Sequence, residues 1–311
     1  MMYSYNAYKE CVIDLLKQKL GAENVSVISI MKNNGVKKEG VKLVVANHAA
    51  SPVLYFEDSK GIYTGEDADE FLKYAMEVYG DTGKYPAVNI QEILSWDKIK
   101  ETIRVRLINF ERNKEVLQER PHIRVLDMAV YFSLPIQSTI TDYEAVDGSV
   151  AVTNRLKESW NIDTDSLFKQ AMINMINEPY VFCNLNEIMK GLGCESPLYF
   201  FSIYGGINGA VAILNRRALL EICEALDSQE LYILPSSVHE TLILKREDVS
   251  GSPDFLKSMV MDVNRTSVRE EEYLSDSVYL YDNEKSVLQM VGDDYDQDRL
   301  MATCYLAERA G

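Results

Sequence analysis

Hydrophobic residues recur at helical spacing at the start of the chain. Four of them fall on one stripe and Gly21 follows, which predicts a helix over residues 5–20 that ends at the glycine. The stripe consists of Val12, Leu15, Leu16 and Leu20. The same spacing, with acidic first turns and capping residues, predicts further helices. They are GEDADEFLKYAMEVYG, a segment from Asn154, a segment from Asp163 or Thr164 to about Ile176, RRALLEICEAL and SPDFLKSMVMDVN, the last with Phe255, Leu256, Met259, Val260 and Val263 on its buried face.

Alternating apolar and polar positions between these helices predict strands. The strands are NVSVISIM, VKLVVA, PVLYFE, TIRVRLIN as a half-buried strand, RVLDMAVYF as one longer strand, SVAVT, LYIL and ETLIL. LYFFSIYGGINGAVAIL is predicted as two strands joined by a glycine-rich turn, with Asn208 and Gly209 suited to a positive φ. DSVYLYDNEKSVLQMV is predicted as a hairpin around Asp282 and Asn283.

The order of these elements predicts the fold class. Strands and helices are mixed without a regular β-α-β alternation, which favours an α+β fold of mixed, mostly antiparallel sheets with packed helices. A polar stretch, PIQSTITDYEAVDG, is the expected boundary between two lobes. The lobes would cover residues 1–135 and residues 146–311, the second with an acidic tail region.

The charge of the chain limits its partners. The 311 residues carry a formal net charge of −16, and proteins that bind nucleic acids nonspecifically need a surplus of Lys and Arg. Direct nucleic-acid binding is therefore not expected. Between Glu247 and Asp298 there are fourteen Asp or Glu residues against four Lys or Arg, which indicates either a solvated surface or a face for a basic partner.

The sequence also predicts where the protein is located. No apolar run approaches the roughly eighteen residues that span a bilayer, and the charged N-terminal segment does not resemble a secretory signal. The number of cysteines is odd, they are scattered along the chain, and none of them forms a CxxC motif. This pattern is typical of reduced thiols. They are Cys11, Cys183, Cys194, Cys223 and Cys304. We expect a cytoplasmic protein that does not bind membranes.

One short stretch, PSSVHE, concentrates candidate catalytic residues. Ser236, Ser237, His239 and Glu240 lie within five positions between apolar runs. The serines could act as nucleophiles with His239 as base, and Ser237 and His239 would share one face of a strand. A strained elbow of the G-x-S-x-G kind is missing, however. The same residues also fit a capping box or the turn of a β-hairpin.

Other motifs in the sequence give weaker evidence for a functional site. His48 and His122 are the only further histidines, so a metal site made of imidazoles is not expected, although a carboxylate site for magnesium stays open. His122 could pair with Asp127. GDDYDQDRL resembles the start of a calcium loop, but Arg299 replaces its glycine and Tyr305 its glutamate. YGGINGA and GLGCES lack the glycine spacing of nucleotide-binding loops. We therefore predict neither a metal nor a cofactor.

Three longer stretches carry a family resemblance. RLINFERNKEVLQERPHIRVLDMAVYF, LYILPSSVHETLIL and LSDSVYLYD resemble signature stretches of the family with the label domain of unknown function 5688. The resemblance runs from about Asn34 to about Tyr281 and implies a cytosolic protein of anaerobic Gram-positive gut bacteria. It implies no substrate, cofactor or catalytic residue. It does suggest that the residues of PSSVHE belong to a shared motif.

Three hypotheses about function follow from these observations. The first is a non-catalytic cytoplasmic protein that acts by binding a protein partner, with some of the nineteen tyrosines as interface residues. The second is a serine-dependent hydrolase that uses Ser236 or Ser237 with His239. The third is an acidic mimic of nucleic acid that inhibits a DNA- or RNA-handling enzyme, which requires a contiguous face of carboxylates.

Overall fold

The protein consists of helices and antiparallel sheets in two compact units. The computed structural model describes residues 2–45, 51–80, 90–140, 145–189, 196–235 and 237–292. The units are Met1–Ile90 and Gln91–Gly311. Every strand pairing among the described residues is antiparallel, which confirms the α+β class.

The first unit contains two small sheets and two long helices. In chain order its elements are β1 (Met2–Ser4), α1 (Tyr5–Leu20), β2 (Val25–Met31), β3 (Lys37–Leu43), β4 (Val53–Tyr55), β5 (Ile62–Thr64) and α2 (Gly65–Gly80). Strands β2, β3 and β4 form one sheet in that order, and β1 pairs with β5. The helices predicted at both ends of this unit are confirmed.

Helix α1 shows how local chemistry sets its bounds. The Ser4 hydroxyl accepts a hydrogen bond from the Ala7 N–H, which caps the first turn. At the other end Gly21 adopts a φ of +91°, and its N–H donates to the Lys17 carbonyl. The buried residues Tyr8, Val12 and Leu16 are four apart, so α1 packs one stripe into the core of this unit.

The second unit contains the remaining elements. They are α3 (Ile90–Ile93), α4 (Trp96–Ile99), β6 (Arg104–Asn109), α5 (Lys114–Leu117), β7 (His122–Val125), β8 (Met128–Ile140), β9 (Ala145–Ala151), α6 (Asn154–Ser159), α7 (Thr164–Ile176), β10 (Tyr180–Asn184), α8 (Leu185–Ile188), β11 (Tyr199–Ile203), α9 (Arg216–Leu226), β12 (Glu230–Pro235), β13 (Thr241–Lys245), α10 (Asp254–Ser267), β14 (Tyr279–Asp282) and β15 (Val287–Met290). A four-stranded sheet has the order β6-β8-β7 with β9 also on β8, and a six-stranded sheet has the order β10-β11-β13-β12-β14-β15. A hydrophobic core unites residues of both sheets with α7 and α9.

The four-stranded sheet corrects two predictions. The stretch RVLDMAVYF is not one strand but a hairpin, because Leu126 adopts a φ of +57° and Val125 pairs with Met128. Strand β6 is not half-buried, since Arg106 has an exposed fraction of 2%.

The compact units divide between Ile90 and Gln91. The predicted lobe boundary falls later, in the hairpin that β8 forms with β9, and the two lobes of residues 1–135 and 146–311 stay a prediction.

The segment after β11 corrects a third prediction. The run GAVAIL forms a 3-10 helix, Gly209–Leu214, and not a strand. Asn208 before it has a φ of +55°, as expected. A side chain on Gly209 would overlap the Ser202 hydroxyl and lie 2.5 Å from the His239 carbonyl oxygen. The glycine is therefore required by close packing rather than by its φ.

Helix α10 also differs from its prediction. It buries Leu256, Val260 and Asn264, which are four residues apart. Phe255 is 52% exposed and Val263 is 38% exposed, so the predicted face was too wide. Within the described residues, no helix combines the length and the hydrophobicity that crossing a membrane requires.

Candidate functional site

Residues 237–240 of the PSSVHE stretch lie in the turn between β12 and β13. Ser236 lies outside the described residues. Ser237 is buried, with an exposed fraction of 4%. Its hydroxyl donates to Glu240 Oε1 over 2.9 Å and accepts the His239 backbone N–H over 3.0 Å. The segment is not helical, so of the two structural interpretations the hairpin turn is confirmed and the capping box is wrong.

The ring nitrogens of His239 contact residues other than Ser237. Its Nδ1 accepts the backbone N–H of Asn208 over 3.0 Å. A neutral ring therefore carries its proton on Nε2. That atom lies 3.6 Å from Glu272 Oε1, and both side chains are about 30% exposed, 31% and 28%. The structure brings His239 together with Glu272, a residue that the sequence did not single out.

Backbone contacts fix the same turn to two distant segments. The Val238 N–H donates to the Glu272 carbonyl over 2.9 Å, and the Val238 carbonyl accepts the Ala210 N–H over 3.1 Å. The Ser202 hydroxyl donates to the His239 carbonyl over 2.8 Å. Each of these bonds satisfies a polar group that burial would otherwise leave unpaired. The turn thus connects the 3-10 helix, β11 and the segment before β14.

The first signature stretch meets the third around one carboxylate. Asp127 follows β7, and its Oδ2 accepts the hydroxyls of Ser275 over 2.6 Å and Ser277 over 3.1 Å. Its Oδ1 accepts the hydroxyl of Tyr279 over 2.6 Å. Burial, and then Asp127, raise the pKa of Tyr279 well above 10.0. The pairing of His122 with Asp127 is not among the bonds of the described residues, and the His122 Nδ1 donates to the Arg120 carbonyl instead.

A second candidate site is an open groove in the first unit, with a volume of about 440 Å³. Six aromatic residues from α1, α2, β4, β5 and the loop after β4 line it. They are Tyr8, Tyr55, Phe56, Tyr63, Phe71 and Tyr74. The Tyr8 and Tyr63 rings stack with their centroids 4.3 Å apart, and Phe56 stacks on Phe71 at 5.2 Å. Such stacking holds the walls of the groove in place.

One hydroxyl holds the loop between β4 and β5, and this loop forms part of the groove. The Tyr63 hydroxyl donates to the Glu57 carbonyl or to Asp58 Oδ1, over 3.0 and 3.1 Å. It also accepts the Ser59 N–H over 3.0 Å. These bonds to one buried tyrosine preorganise the loop. The loop therefore loses less conformational entropy when a ligand binds.

The charged residues of the groove are unbalanced. Lys60 bonds Asp67 over 2.5 Å, and this bond, followed by bonds from Thr64, lowers the pKa of Asp67 to about 2. Glu57 lies 3.4 Å from Lys38. Glu70 is exposed and has no ion pair among the described residues. The groove therefore presents aromatic faces beside an exposed carboxylate, Glu70, which Lys60 attracts without forming an ion pair.

No local sequence pattern predicts this groove. Its residues come from segments up to 66 positions apart, from Tyr8 to Tyr74, and no spacing motif connects them. The only signal was the abundance of tyrosine and its density between β4 and the end of α2.

Other predicted sites have the following outcomes. His48, Cys194, Cys304 and the acidic residues from 293 to 298 lie outside the described residues. Cys11, Cys183 and Cys223 are free thiols. Among the described side chains, no three of His, Cys, Asp or Glu lie close enough together to hold a metal ion.

The acidic stretch has local partners in the part of it that the structure describes. Asp248 lies 3.8 Å from Lys245 and Asp262 lies 3.1 Å from Arg265. Glu247 accepts the Ser228 hydroxyl over 2.9 Å. These carboxylates belong to several elements, so they offer little support for a single contiguous acidic face.

Comparisons with known proteins identify a family. Residues 5–283 match DUF5688, a family of unknown function. The match includes all three signature stretches and extends beyond them to α1. No curated protein and no solved structure matches the chain.

Proposed function

We propose that this protein, which belongs to the DUF5688 family of unknown function, acts by binding a protein partner and not by catalysis. The observation that supports this most is the groove of the first unit. It combines aromatic faces with carboxylates, a composition suited to recognition. Exposed tyrosines such as Tyr74, which is 55% exposed, are frequent anchors in interfaces.

The geometry of the 237–240 turn supports the same proposal. A serine nucleophile needs a base that can take its proton. The Ser237 hydroxyl donates to Glu240, while the two ring nitrogens of His239 face Asn208 and Glu272.

The hydrolase and the nucleic-acid mimic are alternative proposals with less support. A cytoplasmic location and an origin among anaerobic Gram-positive gut bacteria belong to the proposal as well.

Site-specific crosslinking tests the proposal. A photoreactive phenylalanine analogue would replace Tyr74 in the groove, and in a control variant it would replace Tyr204, which is 59% exposed in the second unit. On irradiation in the native host, we expect one discrete crosslinked protein from position 74 that excess unmodified protein suppresses. No product, or the same products from position 204, would contradict partner binding through the groove.

A further inference from the structure

We propose that the groove of the first unit binds a lysine or arginine side chain of a basic protein segment. This inference rests on the proposed function, because it assigns the chemistry of the partner that the groove contacts. Three features of the groove favour a cation: its aromatic faces, its excess of carboxylates and a tyrosine hydroxyl that forms no hydrogen bond among the described residues.

Aromatic faces attract cations through their quadrupole. The first unit already uses this interaction twice with its own residues. Lys32 Nζ lies 4.4 Å from the ring centroid of Tyr55, and Lys9 Nζ lies 4.9 Å from that of Tyr5. Tyr74, which lines the groove and is 55% exposed, has no such cation among the described residues. Its exposed ring is available to a side chain from another molecule.

Carboxylates outnumber ammonium groups in the groove, which favours the binding of a cation. Three carboxylates and one ammonium group line it. The ammonium of Lys60 is engaged by Asp67, and Glu57 is near Lys38. Glu70 remains without an ion pair in the described part of the chain. A lysine or arginine between Tyr74 and Glu70 would gain both the aromatic contact and the ion pair.

The Tyr8 hydroxyl supplies the third feature. Tyr8 lines the groove with an exposed fraction of only 7%, and its hydroxyl forms no hydrogen bond among the described residues. The hydroxyl is the polar end of a side chain that otherwise lies in the core of the first unit. Its oxygen can accept an N–H from an ammonium or guanidinium group. Burial, followed by Tyr63 and Asp67, raises the pKa of Tyr8 to about 12, so the group is neutral at physiological pH.

An open groove of about 440 Å³ is within the range of ligand sites, about 300 to 1,000 Å³. It can accommodate a long side chain together with the backbone that carries it. The net charge of −16 favours the approach of a basic segment over an acidic one. A basic peptide therefore fits the groove better than a neutral oligosaccharide, which would use the aromatic faces but not the excess of carboxylates.

Peptide binding to the full chain tests the inference. The probes are fluorescein-labelled nonapeptides of glycine and serine with three arginines, three lysines or three glutamates, and unlabelled maltohexaose as competitor. Fluorescence anisotropy at low salt should show binding of the arginine and lysine peptides and not of the glutamate peptide. Binding should weaken at 0.5 M salt, where the screening length falls to roughly 4 Å.

Variants locate the site. Glu70→Gln should weaken the basic peptides about two- to fivefold, as expected for an exposed ion pair, and Tyr74→Ala by at least as much. Glu10→Gln is the matched control, because Glu10 is an exposed carboxylate on α1 outside the groove, and it should leave binding unchanged. Both groove positions are exposed, and unaltered thermal melting would show that the variants are folded.

The outcomes separate this inference from the proposed function. Binding of basic peptides that Glu70→Gln weakens and Glu10→Gln does not would support it. Equal binding by all variants, no binding of basic peptides, or competition by the oligosaccharide would overturn it. If crosslinking at position 74 still captures a partner in those cases, the proposal of partner binding is retained. Only the proposal that the groove binds a lysine or arginine side chain is then rejected. If crosslinking fails as well, the proposed function falls with it.

Discussion

The Ser237 hydroxyl donates a hydrogen bond of 2.9 Å to Glu240 Oε1, three residues further along the β12–β13 turn. The same oxygen accepts the His239 backbone N–H. The motif resembles a nucleophile with its base, but its serine hydroxyl bonds to residues of the motif itself. Its side chains stabilise the turn, and its backbone connects the turn to the segment of Glu272 and to the 3-10 helix.

We expect Ser237→Ala to destabilise the protein. The substitution leaves the His239 N–H and the Glu240 carboxylate without their hydrogen bonds, and losing a buried partner costs about 1–3 kcal/mol. Urea unfolding followed by circular dichroism measures the change. Ser166→Ala is the control, since Ser166 is exposed in the first turn of α7 and should change stability by less than about 0.5 kcal/mol. Equal stability of the two variants would show that the Ser237 bonds contribute nothing.

We expect no labelling by a fluorophosphonate probe, which reacts with activated serines. Ser237 is buried and bonded to Glu240, and the His239 ring nitrogens face Asn208 and Glu272. Gel fluorescence after incubation of the full chain measures the labelling. Labelling that disappears in Ser236→Ala or Ser237→Ala, and persists in Ser166→Ala, would favour the hydrolase hypothesis over partner binding.

We expect Gly209→Ala to destabilise the protein more than an ordinary glycine substitution. The new methyl group would lie 2.5 Å from the His239 carbonyl oxygen and overlap the Ser202 hydroxyl, so the turn and the 3-10 helix must separate. Overpacking of this kind costs typically about 1–3 kcal/mol. Gly80→Ala is the control, because a methyl group there meets nothing within 4 Å. A thermal midpoint of Gly209→Ala at or above that of the control would contradict the close packing.

The sequence predicts the long helices of this fold well because their signals are local. Helix α1 has a capping serine, a stripe of apolar residues and a terminal glycine, all within 18 positions. The hairpin of β7 and β8 has no comparable signal. Its turn contains Leu126 at a φ of +57°, a conformation that leucine seldom adopts. Contacts from elsewhere impose it, including the bonds of Asp127 to residues about 150 positions later.

The 3-10 helix differs from the predicted strand for another reason. Residues 209–213 are all buried, so no alternation distinguishes the two structures, and short apolar runs are ambiguous by pattern alone. The candidate sites show the same limit. PSSVHE is visible in the sequence, but its partners Ser202 and Asn208 lie 37 and 31 positions from His239. The groove depends on Tyr8 and α2 meeting in space, which no local pattern specifies.

We expect the protein to lose stability as the pH rises from about 10 to 12. Tyr279 has a folded pKa well above its ordinary value of 10.0, because it is buried and bonded to Asp127. Burial first, and then neighbouring groups, also raise the pKa of Tyr8, Tyr180 and Tyr273 to about 12. A raised folded pKa means that the unfolded chain releases these protons first. The stabilisation is therefore complete below pH 10 and lost as the pH approaches the folded values.

The variant Tyr279→Phe assigns part of this effect to one residue. It should lower stability at neutral pH by about 1–3 kcal/mol, because Asp127 Oδ1 loses its donor. It should also reduce the further loss between pH 10 and 12, since one raised pKa is removed. Urea unfolding at neutral pH, pH 10 and pH 12 measures both effects, with Tyr204→Phe at an exposed position as control. A steeper alkaline loss in Tyr279→Phe than in the control would show that the sign is wrong and that Tyr279 ionises in the folded protein.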